Sequence, residues 1–175
     1  ADGPFEVLNA LDATAMASVV ARYRIDTIFN LVALLSAVGE RNPQMAWAVN
    51  MGALNNSLEV ARQHHCALFT PSSIGAFGPS SPKDGTPQDT IMQPTTIYGI
   101  CKYTGEMLGN YYYQKYGVDT RSVRFPGIIS NVTLPGGGTT DYAVEIYYEA
   151  VKTGHYTCPV PADVYMDMMY MPDAL

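Results

Sequence analysis

Apolar positions along the chain follow two alternating rhythms. Short continuous runs rich in β-branched and aromatic residues, Asp26-Thr27-Ile28-Phe29-Asn30-Leu31-Val32, Ala67 to Thr70 and Thr120 to Phe125, read as strands. The first has the composition of a strand buried on both faces. Between them, apolar residues spaced three and four apart predict helices over about Ala13 to Tyr23, Gln44 to His64, and from Tyr98 to about Tyr116. Asp12 is placed to cap the first and Gly117 to close the third. Glu6-Val7-Leu8 reads as a short strand end. Farther on, a helix runs to about Thr153, and a late strand, Val164 to Met171, stops at Pro172. The segment from Gly75 to Pro94 is rich in Gly, Pro and Ser and reads as a surface loop longer than a connection needs.

Strands separated by helices of these lengths predict an α/β fold, a Rossmann-type doubly wound parallel sheet with helices on both faces and a small C-terminal lobe. Ligands of such sheets lie at the carboxyl ends of the strands, where Ser36, Ser72, Ser73 and Pro126 fall. The glycine-rich turn that receives a pyrophosphate, G-x-G-x-x-G or G-x-x-G-x-x-G, does not occur. Because the chain opens within what reads as a strand-to-helix junction, the expectation is a Rossmann unit whose N-terminal part is missing.

Composition narrows the function classes. At 175 residues and 47% hydrophobic, the chain can bury one sizeable core. A net charge of −6 with only 10 basic residues, thinly spread, argues against nucleic-acid binding. No apolar run is long enough to span a membrane. Cys66, Cys101 and Cys158 form no C-x-x-C and lie in or beside apolar runs, so the expectation is reduced, packed thiols in an intracellular protein, mitochondrial or cytoplasmic. His64 and His65 close a helix, and with only His155 besides, no metal site is expected. Asn131-Val132-Thr133 matches a glycosylation sequon, read as coincidence.

Tyr98 and Lys102 carry the candidate chemistry. Four residues apart on a helix they share one face, and an ammonium beside a phenol stabilises the phenolate, so Tyr98 can serve as a base. An isolated Tyr-x-x-x-Lys is ordinarily a packed tyrosine and a solvated lysine. The hydroxyl pair Ser72-Ser73 upstream, at a strand end, gives the motif its weight. Gly136-Gly137-Gly138 lets backbone approach a ligand closely, and the first N–H groups of the following helix attract a carboxylate. The ordinary alternative is a turn ending in an N-cap.

With Ser73, Tyr98 and Lys102 assembled, the chain resembles the extended short-chain dehydrogenase/reductase family, and within it the L-threonine 3-dehydrogenases. The segments carrying the resemblance are Ala33 to Glu40, Pro71 to Pro79, Thr96 to Gly99, Arg124 to Ser130 and Pro135 to Ala143, in register. The resemblance implies NAD as cofactor and oxidation of L-threonine to L-2-amino-3-oxobutyrate, with residues 1–130 a partial NAD-binding Rossmann domain and 131–175 part of a substrate lobe with a returning strand. Tyr98 is then the general base, Lys102 the residue that lowers its pKa and holds the nicotinamide ribose, and Ser73 the hydroxyl that orients the substrate oxygen. It further implies substrate contacts at Ser36, Ser72, Thr139, Thr140 and Asp141. Cofactor contacts are implied at Asn9, Ala10, Leu31, Ala33, Leu34, Asn50, Tyr98, Lys102, Pro126 and Ile128, with Asn9 standing where family members often have Asp. A homodimer through helices 44–64 and 97–116 is implied. Two other readings stay open: a sugar-nucleotide epimerase or dehydratase of the same family, and a non-catalytic truncated binding fragment.

Overall fold

A computed structural model describes residues 3–130, 132, 134–136 and 138–175. Asn131 and Thr133 of the sequon, and Gly137 of the glycine run, lie outside them. The elements in chain order are α1 (Ala13–Tyr23), β1 (Thr27–Phe29), α2 (Ser36–Arg41), α3 (Pro43–His64), β2 (Ala67–Phe69), β3 (Ser72–Ser73), a 3-10 turn (Ile74–Ala76), α4 (Ile97–Tyr116), β4 (Thr120–Arg121), β5 (Arg124–Phe125), β6 (Gly127–Ile129), α5 (Tyr142–Thr153), β7 (Met168–Tyr170) and α6 (Met171–Ala174).

The helices begin and end where local chemistry dictates. Asp12 accepts from the Ala15 N–H, Asn42 from Met45 and Thr96 from Gly99, each satisfying a donor the helix cannot use itself. Gly117 and Gly154 take the left-handed conformation that ends α4 and α5.

All strand pairs are parallel, in the orders β1-β2-β4, β3-β5 and β6-β7. The first two ladders are one in physical terms. Leu68, Thr70 and Ser72 donate in succession to the carbonyls of Asp119, Arg121 and Val123. Pro71 interrupts the run only on its other edge, where its missing N–H is not needed, because the β1 ladder has already ended with Asn30 donating to Phe69.

The core lies on one side of this sheet. Met16 and Val20 of α1, Met51, Leu54 and Leu58 of α3, Tyr112 of α4 and Leu68 of β2 form one cluster, with Ile28 of β1 against it. Leu58 is wholly buried, worth about 1.5–3 kcal/mol for a side chain of that size.

Several expectations are corrected. Glu6-Val7-Leu8 is not a strand, and Val7 is 93% exposed. The run around β1 is not buried on both faces: Phe29 and Leu31 are about two-thirds exposed, at 65% and 68%. Among the described residues α1, α3 and α4 share a single core, while Phe29 stacks only on Phe69, ring centroids 5.6 Å apart. The late strand is confined to Met168–Tyr170, and Pro172 opens the short α6. α2 was not expected, since no side chain caps its start. Cys66 and Cys101 are buried thiols, whereas Cys158 is exposed.

Candidate active site

α4 lies along the end of β2 and β3 and meets it through successive turns of one face. Lys102 donates to the Pro71 carbonyl at 2.6 Å. That carbonyl is available because it follows the last ladder position on the β1 edge. The Ser73 hydroxyl lies close enough to the Tyr98 phenol to favour its ionised form. Ser73 Oγ accepts from the Gly75 N–H at 3.0 Å, which leaves its own proton free for a neighbouring oxygen. The Lys102 ammonium lies 5.4 Å from the centre of the Tyr98 ring, so the two side chains do stack as the four-residue spacing predicts.

The electrostatics differ from the simple expectation. Burial pushes the Tyr98 phenol above its ordinary value, and only the neighbouring Ser73 hydroxyl draws it the other way. Lys102 is drawn below its usual value, again by burial, which disfavours the ammonium. The hydroxyl of Ser73, more than the charge of Lys102, is what offsets the cost of a phenolate here.

Tight contacts between backbones hold this geometry. A Cβ on Gly99 would overlap the Gly75 carbonyl oxygen, and one on Gly75 would touch the Tyr98 ring at 3.4 Å. From the other side, Glu40 of α2 accepts from the Ile97 N–H at 2.7 Å, adding a carboxylate at the positive end of α4. Ser36 thus starts a helix docked on the end of α4 that carries Tyr98.

A cavity of about 580 Å³, of the size that takes a cofactor, opens at the ends of β1 and β2 and along α4. Of the expected cofactor residues, Ala33, Asn50 and Lys102 line it. Asn9, Ala10, Leu31, Leu34, Tyr98, Pro126 and Ile128 do not. Asn50 accepts from the Leu34 N–H at 2.7 Å and donates to its carbonyl at 3.2 Å, fixing the backbone after β1. Asn9 accepts from the Leu11 N–H and shapes its own turn, and the Ala10 carbonyl accepts from Asn56. Thr70 also lines the cavity, and its buried Oγ1 has no hydrogen-bond partner among the described residues. An unsatisfied hydroxyl in a cavity of this size suits a large polar ligand.

The expected substrate residues divide. Ser72 is buried, and its hydroxyl donates to Glu106. Thr140 packs against the start of β6: a Cβ on Gly127 would stand 2.8 Å from its methyl group. Thr139 is exposed. Asp141 Oδ2 accepts from the N–H groups of Gly136 and Gly138, both at 2.8 Å. The loop expected to receive a carboxylate therefore receives one from its own chain. Glu106 and Arg124 are the residues that sequence reasoning missed. Glu106 stands four residues beyond Lys102, so Tyr-x-x-x-Lys-x-x-x-Glu was the available signal. Among the described residues no group of His, Cys, Asp and Glu could hold a metal, and no helix is long and apolar enough to cross a membrane.

The parallel sheet, with Ser73, Tyr98 and Lys102 gathered at the carboxyl ends of its strands, has a Rossmann-type architecture. The model of the NAD dependent epimerase/dehydratase family matches residues 1–174, and the chain belongs to that family, whose cofactor is NAD. An uncharacterised epimerase/dehydratase of Staphylococcus haemolyticus is 60% identical over 174 residues, covering 99% of this chain and 55% of that protein. Among solved structures, an L-threonine dehydrogenase from Clostridium difficile is 55% identical with a TM-score of 0.94, covering 98% of this chain and 54% of that one. One from Phytophthora infestans is 54% identical with a TM-score of 0.96, covering 99% and 56%. The chain thus spans about half the length of the relatives it matches.

Proposed function

We propose that the chain carries the catalytic half of an NAD-dependent L-threonine 3-dehydrogenase, with Tyr98 as general base. The contact of Tyr98 with Ser73, with Lys102 against both the Tyr98 ring and the adjoining strand end, carries this reading. The identity of more than half with two L-threonine dehydrogenases supports the substrate.

Oxidation of L-threonine to L-2-amino-3-oxobutyrate removes the hydroxyl proton and a hydride from one carbon. NAD supplies the hydride acceptor. The Ser73 hydroxyl, oriented by the Gly75 N–H, directs the substrate oxygen, and the Tyr98 phenolate takes its proton. Lys102, fixed on Pro71, favours the phenolate once the positive nicotinamide adds its charge. Ala33, Asn50 and Lys102 in the cavity, with Asn9, Ala10, Leu31, Leu34, Pro126 and Ile128 about it, would hold the cofactor. Ser36, Ser72, Thr139, Thr140 and Asp141 are assigned to the substrate side, residues 1–130 forming the NAD-binding part and 131–175 the substrate lobe.

A homodimer through α3 and α4 is part of the same reading, supported by the exposure of Met45, Trp47, Met107 and Tyr113 on those helices. Met51 and Leu54 of α3 face the core instead.

The test is Tyr98→Phe in the full-length protein, followed by NADH formation and circular dichroism. Turnover should fall by about 10²- to 10⁴-fold with the fold intact. More than about a tenth of the wild-type rate would refute the role of Tyr98. The family also contains epimerases and dehydratases, and the Staphylococcus haemolyticus relative bears that description. Turnover of a UDP-hexose but not of L-threonine would establish that second reading.

A further inference from the structure

The face of α4 that carries Tyr98 and Lys102 continues one turn farther to Glu106, and all three side chains grip the same three residues of the strand end. Tyr98 lies beside the Ser73 hydroxyl, Lys102 donates to the Pro71 carbonyl, and Glu106 accepts from the Ser72 hydroxyl. Glu106 does more than its two neighbours. Its carboxylate accepts from Arg124 Nε at 3.0 and 3.1 Å and from Arg124 Nη2 at 2.8 Å, and the two side chains are only 18% and 16% exposed. Arg124 is the residue of β5 directly opposite Ser72 in the ladder. A single carboxylate thus joins helix α4 to both strands beneath it.

Arg124 carries the link outward. Its Nη1 donates to the Gln88 carbonyl at 2.9 Å, and its guanidinium lies 5.2 Å from the centre of the Phe77 ring. Both partners belong to the loop that follows the Ser73 turn. The bidentate pair has a rigid geometry that a flexible contact would lack. Removing one member strands a half-buried charge, so the pair resists opening.

We propose that Glu106 is a positioning residue: by holding Ser72 and Arg124 together it fixes where the Ser73 hydroxyl meets the Tyr98 phenol and keeps the 77–94 loop in place beside them. This rests on the dehydrogenase reading only for its kinetic consequence. The structural consequence stands alone.

Both are read in the full-length protein with Glu106→Gln, and with the apolar pair Glu106→Leu/Arg124→Met, which leaves no buried charge if the single variant does not fold. Amide exchange at Gly75, whose N–H donates to Ser73, and across 77–94 should quicken about tenfold or more, with α1 and α3 unchanged. With L-threonine, kcat should fall about tenfold or more at an NAD KM within about twofold of wild type, since a base misplaced by 1 Å can cost about 10²-fold. The pH at which kcat rises, set by ionisation of Tyr98, should move up, because the phenol loses the neighbouring hydroxyl that favours its phenolate. Unchanged exchange at Gly75, exchange quickened equally in α1 and α3, or an unchanged kcat overturns the inference. Failure to oxidise L-threonine at all in the wild type removes the function reading, and the exchange measurement then decides the positioning role by itself.

Discussion

Gly99 offers a sharp test of how the site is assembled, because its replacement by alanine adds one methyl group at the closest approach between α4 and the Ser73 turn. The added Cβ would overlap the Gly75 carbonyl oxygen, and would stand 2.8 Å from Pro94 Cβ and 3.1 Å from the Gly75 carbonyl carbon, where 3.4–4 Å is ordinary contact. The obstacle is backbone on one side and a ring on the other, so no side-chain rotation relieves it. α4 must back away by about 1 Å, and overpacking of this kind costs about 1–3 kcal/mol. Alanine returns about 1 kcal/mol through helix propensity, leaving a net loss of up to about 2 kcal/mol. The rate should suffer more than the stability. Tyr98 adjoins the displaced residue, and a shift of about 1 Å between base and hydroxyl can cost about 10²-fold. Gly109→Ala in the same helix is the control: its Cβ would meet Thr120 at 3.6 Å, an ordinary contact, so the gain of about 0.5–1 kcal/mol from replacing a helical glycine should appear undiminished. Urea unfolding gives the stabilities and NADH formation the rates. A Gly99→Ala protein within about 0.3 kcal/mol of wild type and fully active would refute the close approach, as would a Gly109→Ala protein equally damaged.

Two further outcomes follow from other contacts. Tyr112 is buried and donates to Glu59 at 2.6 Å, and burial together with that carboxylate pushes its phenol up to about 12. The stability this adds is whole below about pH 10, the ordinary value, and is lost as pH rises toward about 12; Tyr112→Phe should flatten that part of the stability curve by about 1–1.5 kcal/mol over pH 9 to 11, as followed by unfolding. An unchanged slope in the variant would contradict the assignment. Asp141→Ala releases the N–H groups of Gly136 and Gly138, so limited proteolysis across 134–140 should proceed severalfold faster while Asp141→Asn, which keeps an acceptor, stays close to wild type. Equal cleavage of all three proteins would show that the carboxylate does not order the loop.

Local signals foretold the helices well and the tertiary contacts poorly. Asp12 marks the start of α1 and Gly117 the end of α4 because capping depends on the residues at the ends themselves. α2 has six residues and no side-chain cap, and what fastens it, Glu40 on the Ile97 N–H, lies 57 residues away along the chain. The run over 26–32 is a strand only over Thr27–Phe29, and the composition around β1 could not show that one face stands open. Tyr98 and Lys102 were legible through their spacing, and the structure sets them beside Ser73. The direction of the Tyr98 shift was not, because burial opposes ionisation and depends on everything packed around the ring. Glu106 and Arg124 are ordinary charged residues 18 positions apart, and only the parallel register that sets Arg124 opposite Ser72 brings them together.

The oxygen that holds Lys102 belongs to the main chain. Side chains are what genetic drift replaces, and any replacement at position 71 that kept the path of the strand would still present a carbonyl there. The lysine's anchorage is therefore indifferent to the identity of its neighbour, whereas the bridge from Ser72 through Glu106 to Arg124 can be severed by one codon change at any of three places. Within a single helix face, one grip is insured against mutation and the next is exposed to it.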